Sequence, residues 1–150
     1  MAGIKYESHF PEAKKAIAEA EENGLIALGM YIQDQAKRNI SKERAIDTSY
    51  LRNRIDYKVD MTSRSVAVGT NVEYAIYVEL GTGIYASGGR GRQTPWAYEY
   101  KGVKGAKGWR ITRGMKPRYF LTNAFNKNHA EMLNVFTYAY KQKMEEFSSD

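Results

Sequence analysis

A chain of 150 residues can bury a sizeable core without staples, and the absence of cysteine removes disulfides, thiolate metal sites and cysteine nucleophiles together. No apolar run is long enough to cross a bilayer and the opening MAGIKYESHFPEA lacks a signal-peptide core, so residues 1–150 read as one soluble domain made in the cytoplasm. The net charge of +6 is unevenly placed: between Gly81 and Arg118 nine Lys or Arg accompany the single acid Glu99, a local +8 that leaves −2 for everything else.

Pro11 suits the first turn of a helix and Glu12 adds favourable charge there, so a helix is expected to start at that point. Ile17, Leu25, Leu28, Ile32, Ala36 and Ile40 form its apolar stripe, and Asn23-Gly24 marks the place where a break is the alternative to one long helix. Residues 41–53 are polar and turn-prone, which predicts a loop. Ile55, Tyr57, Val59 and Met61 then alternate with Asp56, Lys58 and Asp60. A Thr62-Ser63-Arg64 turn leads to Val66 and Val68, the pattern of an antiparallel hairpin with one wet face.

From Asn71 the spacing becomes helical: Val72, Ala75, Ile76, Glu79 and Leu80 share a face, with Asn71 as cap and Gly81 as stop. A short helix is expected, with a strand as the alternative. Glu79 is the one acid in this run and must find donors, because an unpaired charge in an apolar setting is costly. The expected partners are amides of the Gly81-Thr82-Gly83 turn or Arg118; a catalytic acid would lack a nucleophile, a histidine or a second acid beside it.

The loop GTGIYASGGRGRQTP is too long and glycine-rich for an ordinary connection. Trp96, Tyr98 and Tyr100 alternate after it, as do Trp109, Ile111 and Arg113, around a KGVKGAKG tip, so a second hairpin is expected. It belongs to a basic arm of about residues 84–114 carrying Arg90, Arg92, Lys101, Lys104, Lys107, Arg110 and Arg113. Leu121, Ala124, Phe125, Met132, Phe136, Ala139, Tyr140 and Met144 repeat at helical intervals and predict one long last helix to about Glu146. The order implies an α+β fold: an antiparallel sheet packed against long N-terminal and C-terminal helices, with a short central helix and a projecting basic hairpin.

Little in the sequence builds catalysis. His9 and His129 stand far apart with no ligand spacing around either, and no serine sits in a nucleophile-elbow context. SGGRGR is not followed by the Gly-Lys-Ser/Thr of a phosphate loop. No catalytic, cofactor or metal residue is therefore expected. The arm, with Tyr85, Trp96, Tyr98, Tyr100 and Trp109 interleaved among its cations, could hold single-stranded nucleic acid. Alternating aromatics are also ordinary cross-strand packing, and the cations equally suit an acidic protein surface.

Three separated pieces resemble the tail-completion, or head-tail joining, family of long-tailed bacteriophages and prophages. The first is Asp47-Thr48-Ser49-Tyr50-Leu51-Arg52-Asn53-Arg54-Ile55, with Ser49 and Arg54 where the family has glycine and serine. The second, and strongest, runs Tyr74-Ala75-Ile76-Tyr77-Val78-Glu79-Leu80-Gly81-Thr82. The third is Pro117-Arg118-Tyr119-Phe120-Leu121-Thr122-Asn123-Ala124-Phe125, with one extra residue after the proline.

The resemblance makes Tyr74, Ala75, Glu79, Gly81, Thr82, Pro117, Phe120 and Leu121 the structural motif. It implies a non-enzymatic virion protein at the tail or neck that completes the tail and joins it to the head, without cofactor or membrane. Self-association as a ring, a hexamer being one arrangement, would surround the DNA channel, with head-connector and tail proteins as partners and non-specific DNA contact in the channel. In such a ring the arm would reach an acidic face of the next subunit, including Glu19, Glu21 and Glu22. The alternative is a stand-alone basic nucleic-acid-binding module using the glycine-rich hairpin.

Overall fold

A computed structural model describes residues 8–42, 48–101 and 107–149. Its elements are α1 (Phe10–Lys42), α2 (Thr48–Asn53), β1 (Ile55–Asp60), β2 (Ser65–Thr70), α3 (Ala75–Leu80), β3 (Trp96–Lys101), β4 (Lys107–Thr112), α4 (Phe120–Asn126) and α5 (His129–Ser149). The fold is α+β, and its strands form two separate hairpins, β1–β2 and β3–β4. No described helix is long and apolar enough to cross a membrane.

The chain divides into two compact units, the first built from α1 up to Gln35, Asp56–Gly69 and the chain from Phe125 on. Here α1 passes Asn23-Gly24 without a break, because that is where α5 comes closest. A Cβ on Gly24 would stand 2.6 Å from the Phe136 ring, and the Asn23 side-chain amide donates to the Ala139 carbonyl at 2.9 Å. With Tyr31 reaching Asn128, the partners fall in chain order as they rise along α1, so the two helices run antiparallel. Another side of α1 receives the first hairpin, whose Tyr57 and Val66 close on Gly29 while Arg64 pairs with Glu21 at 3.4 Å. Each glycine costs the helix about 1 kcal/mol relative to alanine, and each is offset by the packing its missing side chain admits.

The β1–β2 pattern follows its alternation: Ile55 is buried and Tyr57, Val59, Val66 and Val68 half-buried, while Asp56, Lys58 and Asp60 face water. Its turn closes through the Asp60 carboxylate, which accepts from the Thr62 amide and the Ser63 hydroxyl, both at 2.8 Å. The Ser63 hydroxyl first and the Thr62 amide second hold the Asp60 pKa below its ordinary value. A depressed folded-state pKa means that the turn's contribution is complete above the ordinary carboxylate value of ~4 and is lost as pH falls through the lower folded value. An NMR titration should place the Asp60 midpoint below that of an aspartate in an unstructured peptide, with the Thr62 amide shift following it. A midpoint at or above the unstructured-peptide value would disprove the turn.

The second unit comprises Ala36–Ile55 and Thr70–Ala124. Ile40, Leu51, Ile55 and Phe120 are its most deeply buried large side chains. The loop expected over residues 41–53 is largely helix where it is described. Ser41 and Lys42 continue α1, the Ser41 hydroxyl bonding back to the Lys37 carbonyl at 2.8 Å, and α2 turns Leu51 into the core. Its remaining residues, 43–47, lie outside the described residues. The single last helix is also corrected, since α4 stops at Asn126 and α5 begins at His129. Asn128 sets that restart: its amide bonds to the Phe125 carbonyl, and its own carbonyl accepts the first α5 bond, from Met132 at 2.9 Å. Asparagine is among the preferred residues at such a start.

Candidate interaction surface

The second unit is organised by α3 and the segments that cross it. The helix begins at Ala75, later than an Asn71 cap would place it, because the Val72 carbonyl already takes the Ala75 amide in the turn before. The Tyr74 carbonyl then accepts from Tyr77 and Val78. Gly81 ends the helix as expected, at φ 75°, with its amide bonded to Tyr77. After it the chain runs alongside residues 113–115: the Thr82 amide donates to the Met115 carbonyl at 2.8 Å, Ile84 to Arg113 at 3.0 Å, and the Met115 amide to the Thr82 hydroxyl at 2.9 Å. Gly83 (φ 62°) and Gly114 (φ 125°) meet at this crossing, where a Cβ on either would collide with the carbonyl oxygen of Arg113 or Thr82 respectively.

Glu79 locks the other end of the crossing. Its carboxylate accepts from the Leu121 amide at 2.9 Å, the Thr122 amide at 2.9 Å and the Thr122 hydroxyl at 2.6 Å, capping the first turn of α4. The Gly81–Gly83 turn is not its source of donors, since the Gly81 and Thr82 amides go to Tyr77 and Met115. The carbonyls of Val78 and Glu79 accept from the Arg118 and Tyr119 amides at 2.9 and 3.1 Å, the backbone turning at Tyr119 with φ 50°. Farther along α1, Asn39 donates to the Phe120 carbonyl at 3.0 Å.

Two of the sequence motifs, one around Glu79 and the other around Phe120, are thus stitched into one clamp. Ala75, Gly81 and Phe120 are buried in it, Tyr74, Glu79, Thr82, Pro117 and Leu121 half-buried. A Cβ on Gly81 would also press on the Pro117 nitrogen at 2.8 Å, so these two residues touch by backbone.

Outside the clamp lies a groove that helical spacing did not reveal. Ile76 was expected on the core face, yet Ile76 and Tyr77 are 58% and 57% exposed. With Leu80, Ala86 and Trp96 they line an open space of about 430 Å³ rimmed by Arg90 and Arg92. The loop is folded tightly enough to form this wall because Gly91 backs onto the Gly83 carbonyl, where no side chain would fit. A six-residue helix with five apolar or aromatic residues out of six was the available signal: one turn and a half cannot bury every side.

The arm beyond is a regular antiparallel ribbon, with Ala97 opposite Ile111 and Glu99 opposite Trp109. On one of its faces the Arg110 guanidinium lies 3.9 Å from the Tyr100 ring centroid, and the Arg92 guanidinium 5.5 Å from that of Trp96. The opposite face exposes Trp109 and Ile111 at 76% and 80%. Arg90, Lys107 and Arg113 are exposed, the backbone of Lys101 pairs with Lys107, and Lys104 lies outside the described residues.

Among the described residues no three His, Cys, Asp or Glu gather as metal ligands, and His9 and His129 are both exposed. The groove and ribbon present apolar side chains beside exposed cations. Residues 7–81, half of the chain, match the family described as "Bacteriophage HK97-gp10, putative tail-component". That span contains the first motif and the second as far as Gly81, and stops before the arm and the third motif. No curated protein and no solved structure matches the chain.

Proposed function

The chain belongs to the bacteriophage HK97-gp10 tail-component family, whose members are non-enzymatic structural phage proteins, and from that membership we propose that it completes the tail and joins it to the head as a ring around the DNA channel. The family match over residues 7–81 carries this reading. The α3 groove and the hairpin support it, since exposed apolar patches such as these mark surfaces that a protein partner covers. The residues proposed to meet neighbouring virion proteins are Arg90, Arg92, Lys101, Lys104, Lys107, Arg110 and Arg113, with residues 1–150 acting as one assembly module in the virion.

Deleting the gene from the parent phage should leave DNA-filled heads and finished-length tails that stay separate in electron micrographs, with joined virions restored by a plasmid copy. Normal virions from the deletion would overturn the proposal. The nucleic-acid-binding alternative draws on the same cations, and it requires affinity that falls steeply and linearly on a log–log salt plot for the free chain. A fluorescence titration with single-stranded DNA at two salt concentrations distinguishes that slope from weak channel contact.

A further inference from the structure

The β3–β4 ribbon carries the most exposed large apolar side chains described, Trp109 and Ile111, and both stand on one face. A two-stranded hairpin is marginal by itself in water and needs something against its apolar face. The arm also concentrates the positive charge of the chain, +8 between Gly81 and Arg118 against −2 elsewhere. On this face Lys107 and, just past the strand, Arg113 outnumber the one acid, Glu99 opposite Trp109, so an occupant that combines carboxylates with apolar floor suits it and the groove beside α3, rimmed by Arg90 and Arg92, does not.

Such a surface exists in the first unit, where the start of α1 meets the end of α5. A cleft of about 310 Å³ there has Ala16 and the 40%-exposed Phe147 among its lining, together with Glu12, Glu19 and Glu146. Lys15 and Lys143 are engaged locally, at 3.8 Å from Glu19 and 2.7 Å from Glu146. The last turn of α5 contains no basic residue and instead carries Glu146, with Glu145 immediately before it. Carboxylates at the negative end of a helix dipole oppose the usual preference for cations there, so this end gains from cations brought by another molecule.

We infer that the Trp109–Ile111 face of the hairpin docks into the α1–α5 cleft of a second copy of this chain, with Lys107 and Arg113 set against Glu12, Glu145 and Glu146. The inference rests on the ring reading above and supplies its repeating contact. The two surfaces are different, so the contact is head-to-tail, the kind that closes into rings.

The chain has no native cysteine, so engineered ones report contacts cleanly. Ile111→Cys protein mixed with Glu12→Cys protein should give, on mild oxidation, a disulfide-linked dimer of the two variants in excess over either self-linked dimer. Placing both changes in one chain should give a covalent ladder. In parallel, light scattering on the full chain should show a concentration-dependent rise in mass, weakened at least ~30-fold by Trp109→Ser with Ile111→Ser, while the far-ultraviolet circular dichroism spectrum of that variant stays as in the parent.

Cross-linking no better than the single-variant controls overturns the inference. If the parent forms rings that Trp109→Ser with Ile111→Ser leaves intact, the docking fails and the ring reading survives. A parent that remains monomeric at low salt and millimolar concentration overturns the docking as well, while the ring reading then stands or falls with the gene deletion above.

Discussion

Alanine at Gly83 is expected to lower the thermal unfolding midpoint on the order of 10 °C, the equivalent of ~3–4 kcal/mol in a domain of this size. Two effects combine. Gly83 has φ 62°, a conformation that costs an L-residue about 1–2 kcal/mol, and its new Cβ would occupy the place of the Arg113 carbonyl oxygen. Backbone cannot rotate away as a side chain can, so the segments 82–84 and 113–115 must separate. The Thr82–Met115 and Ile84–Arg113 hydrogen bonds then lengthen or break. Gly88 is the control, since it also has positive φ, at 80°, but nothing within 4 Å of where its Cβ would stand. Gly88→Ala should therefore show the conformational cost alone, with a shift less than half as large. Equal shifts for the two variants would mean that residues 83 and 113 do not meet.

Glu79→Ala should destabilise by ~2–3 kcal/mol, because it removes one acceptor group from three donors at once. The Leu121 amide is half-buried and loses its partner outright, whereas exposed Thr122 can turn to water, which keeps the loss below three full charge-assisted bonds. Glu79→Gln retains one carbonyl oxygen and should recover about half of the stability. Amide hydrogen exchange gives the local readout: Leu121 and Thr122 should exchange faster in Glu79→Ala, while the α1–α5 contact at Gly24 keeps its protection. Unchanged exchange at Leu121 would show that the carboxylate does not cap α4. This role also accounts for an acid within an apolar run without catalysis, since both oxygens are already held by fixed donors.

Local chemistry made much of the chain legible. Alternating side chains and a turn ahead of Val66 specify the first hairpin, because strand pleat and turn bonds act between near neighbours, although Met61, expected to continue the first strand, already lies in the turn that Asp60 closes. The same holds for the β3–β4 ribbon and for Gly81 as the stop of α3. Leu25, Ile32, Ala36 and Ile40 are buried as their helical spacing requires. Ile17, on the same stripe, is 42% exposed, since spacing names a face and cannot say how far along it a neighbour extends.

The sequence by itself determined the α+β class, the hairpins, the helical stretches and the concentration of charge in the arm, all consequences of interactions spanning a few residues. Only the tertiary structure decided that α1 runs unbroken past Gly24, that Glu79 caps a helix more than forty residues away, and that Ile76, Tyr77, Trp109 and Ile111 are left facing outward. Each of these depends on which distant segment arrives at a surface, and on how many segments there are to cover it. A single residue's chemistry fixes what it needs, while the packed fold fixes which partner is there to supply it.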